Sequence, residues 1–489
     1  MCLIPILNQY RMRFWKQLFG ISLFFVCTAC ADILDKEPIG ILDTGSFFKT
    51  AQDAEQAVNA AYNALLFNNE NNNFYWGLGV IASDEAVVGG DGSRPGLSEF
   101  DFLIHTPRTQ ELNDLWKLNY NGITQCNTVL DKVPAIEMDA ALKSRILAEA
   151  QFLRGYYYFI LTQVFGDVPL ITRLLPPAEI KIPRTPLREV QAQILLDCES
   201  AAAVLPLSYP ATALGRATKG AALALAAKTK IYQKDWAGAL DYIQKIKALG
   251  IYQLVPDFRD NFRKNTQNNS ESVWEIQHSN LQLGVGNSLN QWWASKKYGG
   301  GYGFAEVTKE LVDAFEAGDP RLKFTVARNR DDYFGVVYFA SFSSTQYSPL
   351  KYLQSDKEAT QKADGDINYT AIRYAEVLLW EAEAQAELNK ISEAKIPLEA
   401  VRARARAQAT TPATALPPII ATDQATVLEA IRHERQVELA FEMHRFFDLV
   451  RWGLATKYLS NFKVGKHELW PLPQTELDLN SKLVQNPGY

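Results

Sequence analysis

Two stretches of this chain carry the same four-residue signature on what reads as paired helices, and no other feature narrows the fold as far. Leu223, Ala227, Ala239 and Ile243 match the spacing of Leu378, Ala382, Ala394 and Leu398. A large aliphatic and a small residue one turn apart share a helix face, and the small one lets a second helix approach closely. The second Ala, twelve residues on, does the same from the facing helix. The copies lie far apart in the chain, so they do not read as a continuous tandem array.

Helical periodicity extends to both sides. Thr50-Ala51-Gln52-Asp53 forms a capping box ahead of Val58, Tyr62 and Leu65. Further helices are expected over 111–133, Leu142–Phe165, Leu187–Leu205, Ala217–Tyr232, Trp236–Leu249, Thr308–Ala317, Tyr369–Leu388, Ser392–Ala407 and Thr422–Trp452. Residues 68–110 and 255–305 are rich in Asn, Gly, Asp and aromatics with little period. Residues 333–353 alternate Tyr, Phe and Val with Ser, as short strands do. The expected fold is mainly α: a tetratricopeptide-like helix-pair scaffold with long loop insertions and a few short strands. Of 489 residues 47% are hydrophobic, ample for a core. With 50 basic against 55 acidic residues, the chain lacks the basic field that nucleic acid requires.

Residues 1–29 read as an export signal. Arg11, Arg13 and Lys16 precede an apolar run from Leu18 to Ala29, too short to cross a ~30 Å hydrocarbon core. The start is Met1 or Met12, and Met12 gives the basic segment its usual position. Val26-Cys27-Thr28-Ala29-Cys30 is similar to a bacterial lipobox, with Cys27 where Leu is usual, which makes Cys30 the lipidated first residue of the mature chain. One mature body is expected over 30–489: a helical part over 30–254, a loop-rich region over 255–368 and a C-terminal helical part over 369–489. Cys126 and Cys198 fall in apolar helical patterns and read as buried free thiols, with a disulfide between them left open.

Five segments, in order, resemble the SusD/RagB family. The first is Cys30, Ile33-Leu34-Asp35, Pro38 and the capped helix ending Asn59-Ala60-Ala61-Tyr62. The second is LAEAQFLRGYYYFILTQVFGDVPL over 147–170. The third holds Ile372-Arg373-Tyr374-Ala375-Glu376 and Glu381-Ala382-Glu383-Ala384. The fourth is IRHERQVELAFEMHRFFDLVRWG over 431–453, with Met443 where Gly is common. The last joins Leu469-Trp470-Pro471-Leu472-Pro473 to Gln485-Asn486-Pro487-Gly488-Tyr489. The resemblance implies a cell-surface lipoprotein of the outer membrane. Such a protein binds a glycan and caps a SusC-like TonB-dependent barrel that imports oligosaccharide. The RagB-like branch captures peptides instead. Neither branch implies covalent chemistry or a cofactor.

Tyr156–Phe159 point in four directions around a helix, so they read as packing rather than as one platform. Glu434, Arg435, Glu438, Glu442, Arg445, Asp448 and Arg451 recur at three- and four-residue spacings and read as ion pairs that lock a long helix. Arg373 and Glu376 read the same way. Ligand contacts are expected on the irregular insertions. A flat aromatic matches the apolar face of a sugar, worth roughly 1–2 kcal/mol per ring, while amides, carboxylates and Arg match its hydroxyls. Two segments combine these groups. One is Asn71-Asn72-Asn73-Phe74-Tyr75-Trp76, followed by Asp84 and Glu85; the other is Asn290-Gln291-Trp292-Trp293, followed by Tyr298 and Tyr302. Trp76, Trp292 and Trp293 are the expected stacking rings, with one of the adjacent pair turned inward.

Signatures of catalysis are missing. The five histidines form no HExxH, no GxSxG occurs, and the glycines of 299–303 lack a following Lys-Ser/Thr. No catalytic residue, metal ligand or cofactor site is expected. A glycosidase needs only two facing carboxylates, and a protein-interaction scaffold would use the same helix pairs. Both stand as alternatives beside peptide capture.

Overall fold

The computed structural model describes residues 48–489, so the export signal and Cys30 lie outside the described residues. The long helices are α1 (Ala51–Asn63), α2 (Gln110–Lys132), α3 (Ala140–Phe165), α4 (Leu187–Val204) and α5 (Lys219–Tyr232). They continue with α6 (Trp236–Ala248), α7 (Tyr374–Glu387), α8 (Ile391–Ala407) and α9 (Gln424–Glu438). Thr50 caps α1 as expected, its hydroxyl accepting from the Asp53 N–H while Asp53 accepts from the Thr50 N–H. From α2 onward each helix packs on the next: α2 on α3, α3 on α4, α4 on α5 and α5 on α6. α6 then packs on α7, although 249–373 lie between them in the chain, and α7 packs on α8 and α9. The two signature copies, detached in sequence, are thus neighbours in one stack. All eight signature side chains are buried there, which stabilises helices too short to persist alone.

Tyr156–Phe159 divide their contacts as four helical directions require. Tyr156 meets Trp274 edge-on with ring centroids 4.8 Å apart, and Phe159 meets Tyr232 at 5.2 Å. The Tyr157 hydroxyl donates to Ala61 O (2.5 Å), and that of Tyr158 to Ile171 O (3.0 Å). A Cβ on Gly122 would stand 2.4 Å from the Tyr157 ring, so only glycine lets α2 and α3 close on it. Cys126 and Cys198 are free and buried.

The strands are β1 (Ala86–Val88), β2 (Ser272–Ile276), β3 (Ala305–Val307), β4 (Val326–Ala327), β5 (Asp332–Tyr333), β6 (Val336–Val337), β7 (Ser348–Pro349) and β8 (Tyr369–Arg373). They form two-stranded antiparallel ribbons, β1–β3, β2–β8, β4–β7 and β5–β6. Two helix expectations are corrected here. Tyr369–Arg373 is strand β8 before α7 begins, because aromatic and β-branched side chains buried on both faces suit a pleated ribbon. The helix expected over Thr422–Trp452 breaks after Glu438 and resumes at Arg445–Arg451. Phe441 (φ 62°) and Met443 (φ 67°) turn left-handed in the break, where Gly79 comes so close that a Cβ would lie 2.4 Å from Met443 O. A left-handed Met costs about 1–2 kcal/mol, and complete burial of its side chain, worth about 1.5–3 kcal/mol, offsets that. This is why Gly is dispensable at 443.

The charged row of 434–451 does not lock one long helix. It ties that helix to other elements. Arg373 bonds Glu271 (2.5 Å), Glu438 (2.8 Å) and Glu442 (2.7 Å), and Lys351 bonds Glu442 (2.7 Å), all buried. Burial alone would raise the Glu438 carboxyl, yet Arg404, Arg373 and Arg321 hold it well below the ordinary range. The C-terminal motif docks on α3, with Asn486 Nδ2 donating to Phe165 O (3.0 Å) and Trp470 O (2.7 Å).

Candidate functional site

The rings expected to meet a ligand instead build the core of the insertions. Phe74 and Trp76 both stack on Trp292, with centroids 5.3 and 5.9 Å apart. Trp76 meets Trp293 edge-on (5.8 Å), and Trp293 continues the row to Phe441 (5.5 Å) and Tyr352 (6.2 Å). Trp76, Trp292 and Trp293 are at most 1% exposed, which corrects the expectation that they present a face to sugar. The reason is physical: two-stranded ribbons are weak by themselves, so a region built of them needs its own apolar core.

Other expected contacts are likewise occupied. Tyr75 is buried, stacked on Phe447 (5.5 Å), and its hydroxyl donates to Gln163 (2.6 Å). Asn73 and Asn290 are buried, and each spends its amide on backbone: Asn73 on Leu65 O (3.3 Å), Asn290 on Lys362 O (3.1 Å) and Gln354 N (2.8 Å). The Asp84 carboxylate accepts two bonds from Arg445, at 2.7 and 2.8 Å. Behind it Glu85 is fully enclosed. Burial pushes its carboxyl up to about 8, against the N–H of Phe441 that donates to it at 3.1 Å. Tyr298 is buried beneath Lys362, whose Nζ lies 3.8 Å from the ring centroid.

Tyr302 differs: it is 40% exposed. Its N–H donates to Gln291 O (2.7 Å), and the Phe304 N–H donates to Trp292 O (2.7 Å), so the loop carrying it is pinned to the buried stack. Phe304 packs on Tyr302 (5.2 Å) and fills the space above Gly90, where a Cβ would lie 2.7 Å from its ring. Gly90 opens the loop to Arg94, whose guanidinium sits 5.1 Å over Phe74. Across the stack, Trp292 Nε1 donates to exposed Asn69 (3.3 Å). The neighbours of the stack that reach solvent are Tyr302 and Gln291 on one loop, Arg94 over Phe74 and Asn69 at the Trp292 indole N–H. An exposed aromatic ring can take an apolar sugar face, and amide, guanidinium and carboxylate groups its hydroxyls. Gln291 falls in one of the expected segments, whereas Asn69 and Arg94 carry no local signal that the sequence reading used. Among the described residues no cluster of His, Cys, Asp or Glu is arranged to hold a metal ion, and no helix is long and apolar enough to cross a membrane.

Two family models match the chain, one described as the SusD family over residues 339–468 and one as starch-binding and associating with the outer membrane over 46–232. A SusD-like protein P2 of Formosa agariphila is 28% identical, covering 98% of this chain and all of its own length. A SusD-like protein from Bacteroides fragilis superposes with TM-score 0.80 at 24% identity, over 93% of this chain and all of that one. A laminarin-binding SusD-like protein superposes with TM-score 0.79 at 29% identity, over 90% of this chain and all of that one.

Proposed function

Since the chain belongs to the SusD/RagB family, we propose that it is a cell-surface glycan-binding lipoprotein that captures oligo- or polysaccharide and delivers it to a SusC-like TonB-dependent barrel. The observation that carries this reading is Tyr302, an exposed ring fixed through its backbone to a buried aromatic stack. The likeness to a laminarin-binding relative supports a glycan as the ligand class. Cys30 supplies the outer-membrane anchor, and the helix stack leaves its outer faces for the barrel.

Affinity electrophoresis tests the capture step. Residues 31–489, which retain every described residue, should be retarded in a gel holding one of a panel of soluble polysaccharides, laminarin and starch among them. Tyr302→Ala should run faster in that gel. Mobility unchanged by Tyr302→Ala against a polymer that retards the parent would remove this face from the reading. On cells, Cys30→Ala should shift the protein from the membrane to the soluble fraction.

A further inference from the structure

A groove of about 730 Å³ lies between the turns of 259–266 and the β5–β6 hairpin. Arg263, Asp332 and Glu358 are among its polar lining, and Phe334, Phe324 and Leu353 among its apolar lining. Phe334 and Gly335 are the two residues of the hairpin turn, with φ of 55° and 91°. A two-residue turn of this kind needs both residues left-handed, which Asn or Gly supplies without strain. A bulky ring there is strained, and Phe334 is only half-buried, so core packing does not repay the strain. What the position gains is an aromatic face on a groove that mixes hydrogen-bonding groups with apolar ones. Both basic and acidic side chains line it, and several are already paired, Lys264 with Asp366 (2.6 Å) for example. Such a lining suits a neutral polyol better than an ion.

We propose that this groove is a second oligosaccharide site for neutral sugars, with Phe334 stacking on a pyranose face and Arg263, Asp332 and Glu358 meeting its hydroxyls. It rests on the glycan-binding reading but uses none of the residues of the Tyr302 face. Tyr298 joins the two places. Its ring lies 6.0 Å from that of Phe334, its hydroxyl donates to Phe334 O (3.4 Å), and its carbonyl accepts from the Gly301 N–H (3.0 Å), one residue before Tyr302. A polymer that spans two weak sites linked through Tyr298 is retained more strongly than either site alone allows.

The test uses residues 31–489 and whichever polysaccharide of the panel retards them. Phe334→Asn is the sharpest variant, because Asn accepts the left-handed turn and the fold is kept while the ring is lost. Phe334→Asn and Arg263→Ala should each weaken retention about 3- to 10-fold, and Phe334→Asn combined with Tyr302→Ala should abolish it. Native mass spectrometry with the matching hexasaccharide should find two bound per chain, and one after Phe334→Asn. Unchanged retention in both single variants, or never more than one hexasaccharide on the parent chain, would overturn the second site; loss of retention in Tyr302→Ala would then leave the capture reading standing. Retention by no polymer at all would sink both.

Discussion

Trp292 and Tyr302 sit in the same Gly- and Asn-rich insertion, yet one is 1% and the other 40% exposed. The contrast lies in what each ring does for its surroundings. Trp292 packs in a mutual cluster with Phe74 and Trp76 and holds together segments that share only short ribbons. Tyr302 stands outside, fixed through its backbone and one contact with Phe304. An aromatic-rich loop therefore first fills its own core, and only the rings left over are available to a ligand. Buried rings still serve binding, since a rigid base under the surface ring lowers the ordering cost of capture.

The largest effect should come from the charge network under both regions. Arg373→Ala leaves Glu271, Glu438 and Glu442 buried without their shared cation, and about 3–5 kcal/mol of stability should be lost. Urea titration of the parent and variant measures it. Next come the core rings: Trp76→Ala or Trp293→Ala should cost about 3–5 kcal/mol through cavity formation. If either variant keeps full stability and loses glycan retention instead, the division between core and surface rings fails.

Glu85 tests the floor of the insertion by pH. Its folded-state carboxyl is raised from an ordinary 4.5 to about 8 by burial. Between those values the unfolded chain has released the proton that the folded chain still holds, so stability falls as pH rises across this window. The slope is at most about 1.4 kcal/mol per pH unit. Glu85→Gln keeps an acceptor for Phe441 N–H and has no proton to lose. Its melting temperature should match the parent near pH 4.5 and exceed it increasingly up to pH 8. Parallel curves for the two proteins would mean that Glu85 ionises normally.

Much of the scaffold was legible because helix faces write themselves at fixed spacing. The eight signature residues, the Thr50 cap and the four directions of Tyr156–Phe159 follow from local geometry alone. The adjacency of α6 and α7 did not, since no periodicity spans a long insertion. Nor did the break at Phe441 and Met443, where the apolar pattern runs on and no Gly marks the left-handed turn. At the candidate site, composition marked aromatic-rich segments but could not rank their rings by exposure: Trp76, Trp292 and Trp293 are buried and Tyr302 is not. Exposure depends on which segments meet in space, as where Asn69 meets Trp292 and Arg94 covers Phe74.

The smallest effects should separate the ring of Tyr302 from its hydroxyl. Tyr302→Ala removes the exposed face, worth roughly 1–2 kcal/mol of binding, or about 5- to 30-fold in Kd. It should cost clearly less stability than Trp76→Ala, because Tyr302 is 40% exposed where Trp76 is fully buried. Tyr302→Phe keeps the face and deletes one hydroxyl that makes no hydrogen bond among the described residues, so affinity should stay within about 3-fold of the parent. Isothermal titration with the retained oligosaccharide, paired with urea unfolding, reads both quantities. A Tyr302→Phe loss as large as that of Tyr302→Ala would make the hydroxyl, not the ring face, the contact. A stability loss in Tyr302→Ala comparable to that of Trp76→Ala would place Tyr302 in the core with the other rings and move the ligand face elsewhere.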